Sequence, residues 1–151
     1  MSEQNKAFIR RWFEEVWNKG REEAIDEMFA ADGLAHGLEG DEPIRGAAGF
    51  KPFFHKFREA FPEIQVTVED AVAEGDKVAA RCTVRGRHRG DSLGFAATQQ
   101  PVEFTGMTIV RIRRGKIVEA WNNFDFMTIF QQLGALQTVA PAQETQEPSA
   151  D

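Results

Sequence analysis

The 151-residue chain predicts an α+β domain with its helices gathered on one face of an antiparallel sheet, and three observations carry that expectation. Apolar residues recur with a helical period in three stretches between Asn5 and Phe61, then switch to alternation from Ile64 onward. With 42% hydrophobic residues, the chain holds enough apolar mass for one core and shows no internal repeat or second domain. Its 13 Phe, 3 Trp and absence of Tyr make the interior aromatic, so hydrogen bonding inside a pocket must come from Asn, Asp, His, Thr, Arg or Trp.

From Asn5 to Trp17 the pairs Phe8-Ile9, Trp12-Phe13 and Val16-Trp17 paint one stripe along a helix, ended by Asn18-Lys19-Gly20 with Gly20 at C′. A second helix from about Arg21 to Ala30 buries Ile25, Met28 and Phe29 and stops at Ala31-Asp32-Gly33. Gly33 to Gly46 reads as loop, with a short strand at most around Leu34 to His36. A third helix carries Phe50, Phe53, Phe54, Phe57 and Phe61 on one face. Pro52 belongs in the first turn of a helix, which sets this one's start near Gly49, and Pro62 marks its exit. Strands follow at Ile64 to about Glu74 and Val78 to Arg85, joined by a turn at Gly75-Asp76. His88 to Gln100 is a loop, Val102 to Arg113 a long strand, and the Arg114-Gly115 turn opens the last strand at Lys116. A short helix runs from Phe126 to Leu133, and 137–151, rich in Gln, Glu and Pro, reads as a disordered tail behind a domain spanning 1–136.

A net charge of -6 and a pI near 5.2 argue against nucleic-acid binding. No apolar run reaches the roughly 18 residues a membrane span requires, and MSEQNKAF lacks the apolar core of a signal peptide, so a cytoplasmic location and no membrane partner are expected. Cys82 stands alone, which excludes an internal disulfide and a zinc-finger set; its strand-like flanks make it a core or interface filler.

The candidate chemistry converges on Lys116 to Gly134. Trp121, Asn123 and Asp125 are spaced by two, hence on one face of a strand, and Asp125 lies between Phe124 and Phe126. A carboxylate in that setting is either a general acid/base with a pKa raised by desolvation, or the N-cap of the following helix. His36, in the glycine-rich loop, is either a proton shuttle or a histidine satisfied by backbone. Arg81, Arg85, Arg87, His88 and Arg89 form a basic cluster that binds an anion or pairs with carboxylates across the sheet.

The strings WNKG, HGLEGDEPIRGAAGF, FREAFPEI, VAEGDKVAAR, HRGDSLGFAATQQPVEFTG and GKIVEAWNNFDFMTIFQQLG, in this order, resemble the SnoaL-like polyketide cyclase (ester cyclase-like) family of the NTF2-like superfamily. The resemblance implies a cone-shaped α+β barrel and a cofactor-free, metal-free intramolecular aldol condensation, with the acid/base aspartate falling on Asp125. One departure is plain: the family's EHW string reads Glu119-Ala120-Trp121 here. Ketosteroid isomerases share the fold, but their base and acidic oxyanion donor would fall near His36 and Thr108, neither a carboxylate, which disfavours steroid isomerisation. The expected site is a pocket for a small hydrophobic molecule lined by Trp12, Phe13, Phe53, Phe57, Thr108 and Trp121, with Asp125 assisted by His36 and Asn123. The alternative is a non-catalytic binding module using the same cavity. Apolar residues such as Met107 and Ile109 on the sheet's outer face point to a homodimer.

Overall fold

The computed structural model describes residues 2–135; the tail from Gln137 lies outside them. Helix α1, Ser2–Trp12, runs into a turn of π-helix, Phe13–Asn18, followed by α2, Glu22–Met28. Strand β1, Phe29–His36, and the short β2, Ile44–Arg45, precede α3, Gly46–Ala60. Then come β3, Gln65–Glu74, β4, Lys77–Arg87, β5, Pro101–Arg113, β6, Lys116–Phe124, and α4, Phe126–Gln132.

The six strands form one open sheet in the order β2-β1-β6-β5-β4-β3. Four of its five pairings are antiparallel, whereas β1 runs parallel to β6. This corrects the expectation of a loop from Gly33 to Gly46. Phe29 and Ala35 are buried, and Ala31-Asp32-Gly33, which reads as a helix stop, is an irregularity in the β1–β6 register between Phe29 and Leu34. A second correction concerns α3, which begins at Gly46 and therefore holds Pro52 inside it. Proline there has no N–H for the Ala48 carbonyl, but Ala48, Gly49 and Pro52 all face water, where that carbonyl is hydrated.

The N-terminal helix also protects an open edge. Strand β3 ends the sheet, and side chains from α1 and the π-turn take up edge groups at Val66 and Val68 and the carbonyl of Gly75 in the turn that follows. Asn5 Nδ2 donates to Gly75 O at 3.1 Å, and Arg10 to Val68 O at 3.0 Å. The Asn18 carboxamide closes both sides of Val66, accepting from its N–H at 2.6 Å and donating to its carbonyl at 3.0 Å. The core between helices and sheet is aromatic, with Trp12, Trp17, Phe29, Phe50, Phe53 and Phe54 in mutual edge and tilted contacts. Cys82 is fully buried on the inner face, where burial pushes its thiol up to about 12, leaving an inert filler.

Candidate functional site

Between the helices and the concave side of the sheet lies a cavity of about 80 Å³. Trp12, Phe13 and Trp17 reach it from α1 and the π-turn, Phe50, Phe53 and Phe57 from α3, and Phe104, Thr108 and Val110 from β5. Strand β6 contributes Ile117, Ala120, Asn122 and Phe124, and α4 contributes Phe126. The phenylalanines of this wall follow from the three- and four-residue spacing of the α3 stripe and the alternation of β5. Gly106, on the inner face of β5, lets the Phe124 ring lie flat against the sheet: a Cβ there would stand 2.1 Å from Phe124 Cδ2.

Thr108 and Asn122 are the polar side chains that the sheet contributes to this wall, and they are cross-strand partners. Thr108, 2% exposed, donates its hydroxyl to Asn122 Oδ1 at 2.8 Å, and Asn122 Nδ2 donates to the His36 carbonyl at 2.9 Å. One Asn122 N–H and lone pairs on both oxygens are left for a guest molecule. Neither group is an acid or base near neutral pH, so the pair can orient a carbonyl or hydroxyl but cannot carry a proton away.

Trp12, Phe13, Phe53, Phe57 and Thr108 thus meet at one cavity, while Trp121, Asn123, Asp125 and His36 are placed elsewhere. Trp121 lies on the convex face opposite Ile109, with the His36 ring stacked on it at 5.9 Å and Arg111 Cζ 5.8 Å above its ring. His36 Nε2 meets Glu119 Oε2 at 2.7 Å. Asn123 and Asp125 border a depression on that same face, beside Arg81 and Met107. Asp125 is exposed and is the N-cap of α4, accepting from Thr128 N at 3.2 Å and from the Thr128 hydroxyl. Of the two positions open to this aspartate, cap or cavity carboxylate, its geometry here is the cap.

The displacement has one physical cause. From the Arg114-Gly115 turn the ladder starts as Arg113↔Lys116 and Ile112↔Ile117, but continues as Arg111↔Glu119 and Thr108↔Asn122. Val118 is the extra residue of a β-bulge, and a shift of one residue carries every later side chain of β6 to the opposite face. Asn122 and Phe124 therefore point inward where the plain two-residue turn would have put Trp121 and Asn123. The signal in the sequence is faint: Ile117 and Ala120, both buried, are three apart rather than two.

The basic cluster resolves into surface pairs. Arg81 bonds Asp70, Arg85 bonds Glu103 and Arg89 bonds Glu63, all solvent-exposed, and Arg87 donates to Gln99 O. His88 is buried between Phe61 and Phe95, with its Nδ1 accepting from Thr98 N at 3.0 Å.

Known proteins resemble this chain in sequence and in fold. The family model described as SnoaL-like polyketide cyclase matches residues 7–133. The chain belongs to the SnoaL-like polyketide cyclase family. Aklanonic acid methyl ester cyclase DnrD of Streptomyces peucetius is 29% identical over 129 residues, covering 83% of this chain and 88% of that protein. The crystal structure of IdmH from Streptomyces antibioticus aligns with a TM-score of 0.74 at 33% identity, over 87% of this chain and 99% of that one. A SnoaL-like protein from Jannaschia sp. CCS1 gives a TM-score of 0.80 at 22% identity, over 90% and 95% of the two chains, a likeness of fold. The fold of this SnoaL-like chain is accordingly the NTF2-like α+β cone. Within it, Ala120, which replaces the histidine of the EHW string, is an inward residue of the cavity wall, 6% exposed.

Proposed function

We propose that this SnoaL-like protein binds a small, flat, largely apolar carbonyl compound of polyketide type in the cavity, with Asn122 and Thr108 making its polar contact. The observation that carries this reading is the cavity wall itself: aromatic on three sides, with one neutral hydrogen-bonding pair from the sheet and, among the described residues, no ionisable side chain. Such a wall favours an uncharged guest with one oxygen to place, because a carboxylate would be desolvated there without a cation. The absence of an imidazole at Ala120 and the turned-away Asp125 both favour binding over acid–base turnover in this conformation.

A second reading is supported by the relatives named as cyclases and by the position of Asp125 between two phenylalanines of the cavity wall. In it, the carboxylate leaves its cap and removes the proton alpha to a substrate carbonyl, the carbanion attacks a second carbonyl to close a ring, and the resulting alkoxide takes the proton back. No cofactor enters that proton balance.

One experiment separates the two. Titration with an anthraquinone, read by quenching of Trp12 and Trp17, is expected to saturate in the wild type and to weaken at least fivefold in Asn122→Ala. Incubation with a linear polyketide ester then tests turnover. Product formed by the wild type and lost in Asp125→Asn establishes the cyclase reading, whereas saturable binding without product establishes the binding one. Absence of saturation by either compound overturns both. We further propose a homodimer through the convex face, where Met107 is 55% and Ile109 44% exposed beside Trp121.

A further inference from the structure

The cavity is too small for the guest assigned to it. Pockets for drug-sized ligands hold roughly 300–1,000 Å³, and even an engineered cavity that takes benzene measures about 150 Å³, against about 80 Å³ here. Some wall has to yield, and the walls are not equally held. The sheet side is β4, β5 and β6, each paired or bounded along its length. The α1 side is tied to β3 through Asn5, Arg10 and Asn18.

Helix α4 is the exception. It spans Phe126–Gln132, with Ile129 as its one buried residue, and it follows β6 directly at Asp125, whose N–H still pairs with Thr105 O at 3.0 Å. It touches the cavity through Phe126, half-buried, with ring centroids 5.5 Å from Phe57 and 6.2 Å from Phe104 and Phe124. Two polar contacts fix it, one within its own first turn and one to β5. At its start, the Asp125 carboxylate caps Thr128. At its end, the Gln132 carboxamide mimics a strand partner, accepting from Glu103 N and donating to Glu103 O, both at 2.9 Å.

We infer that α4 is the door of the cavity: Phe126 occupies the space a ligand takes, and the Asp125 cap and the Gln132–Glu103 pair set the free energy of moving it aside. Phe126 thereby determines the size of molecule admitted, and Asp125 acts on binding through the helix it caps, as a positioning residue. The inference rests on the cavity being a ligand site. Because the closed form excludes the guest, its apparent affinity is the intrinsic affinity scaled by the open fraction. Any change that loosens the door tightens binding.

The test is 2-naphthol titrated into the full chain, read by Trp12 and Trp17 fluorescence. Asp125→Ala, which removes the cap, is expected to tighten binding about fivefold, and Asp125→Asn, which caps equally well, to leave it unchanged. Gln132→Ala should tighten it in the same direction and guards against a cap variant that fails to fold. Phe126→Ala should bind most tightly, and adding Asp125→Ala to it should then change nothing, because no door remains to open. Phe126→Ala binding 2-naphthol while Asp125→Ala and Gln132→Ala bind it no better than wild type would overturn the door and leave the binding site standing. No binding to any of these variants would overturn the binding site, and the door with it.

Discussion

The two faces of the β5–β6 ribbon are built from the same strands and carry opposite chemistry. On the concave side, Phe104, Thr108, Ala120, Asn122 and Phe124 line a cavity whose polar pair is hydrogen-bonded within the wall. On the convex side, His36, Glu119, Trp121 and Arg111 form a stacked, charged cluster at the surface. Every ionisable side chain of the two strands lies on the outside of this ribbon, and the neutral hydrogen-bonding pair that meets the cavity lies on the inside. The strand sequence alone does not decide this partition, because WNNFD offers polar and aromatic residues to both faces. The bulge at Val118 decides it.

An alanine inserted between Ala120 and Trp121 therefore breaks the comparison most severely. It would drive Trp121 and Asn123 into the space now held by Asn122 and Phe124, opposite Thr108 and Gly106, burying an indole where an amide fits and leaving the Thr108 hydroxyl and the His36 carbonyl without their partner. The expected outcome is loss of the folded state, seen as loss of the cooperative thermal transition by circular dichroism. An insertion variant that melts normally would mean that the strand absorbs the extra residue at no cost and that its register does not fix the faces.

Gly106→Val tests the inner face at a single atom group. The new side chain would collide with the Phe124 ring, an overpacking that costs about 1–3 kcal/mol. At about 4 °C per kcal/mol for a domain of this size, the melting temperature should fall by roughly 4–12 °C. Thr105→Val, the neighbouring outward position, should leave it within about 2 °C.

How far the sequence reached follows the same line. The helices with their aromatic stripes, the strand order from Ile64 onward and the inward set of β5 were legible, since each rests on a period that packing preserves. Strand β1 was not, because Ala-Asp-Gly inside it imitates a helix stop while being a register irregularity held by β6. Cavity residues on α1, α3 and β5 could be named because their faces are fixed by uninterrupted periods. Asn122 and Phe126 could not, since one lies beyond a bulge and the other on a helix whose direction is set by tertiary contact. Asp125 shows the limit plainly: strand-end carboxylate and helix cap are the same residue in the same place, and only the direction of the side chain distinguishes them.

Asn122→Ala probes the polar pair directly. It leaves a buried hydroxyl and a backbone carbonyl without partners, at about 1–3 kcal/mol, so the melting temperature should drop by roughly 4–12 °C along with the loss of ligand affinity. Glu119→Gln removes charge from the outer pair with His36, whose side chains are 34% and 29% exposed. Pairs with that much access to water contribute about 0–1 kcal/mol, so its melting shift should stay below about 4 °C. A larger shift for Glu119→Gln than for Asn122→Ala would reverse the assignment of inner and outer faces.

Ile109→Glu should have the smallest effect on the fold and the clearest effect on association. Ile109 alternates with Thr108 and Val110, so its side chain leaves the sheet on the convex side, and a charge there costs the isolated domain within about 0.5 kcal/mol. If the convex face pairs two copies, a glutamate on each is carried from water into an apolar contact beside Met107 and Trp121, and the dimer dissociates. Sedimentation is then expected to show a dimer for the wild type and a monomer for Ile109→Glu, with anthraquinone affinity unchanged because the cavity lies on the other side of the strand. The wild-type melting temperature should also rise with protein concentration, and that of the variant should not. A wild type that sediments as a clean monomer at micromolar concentration would remove the dimer.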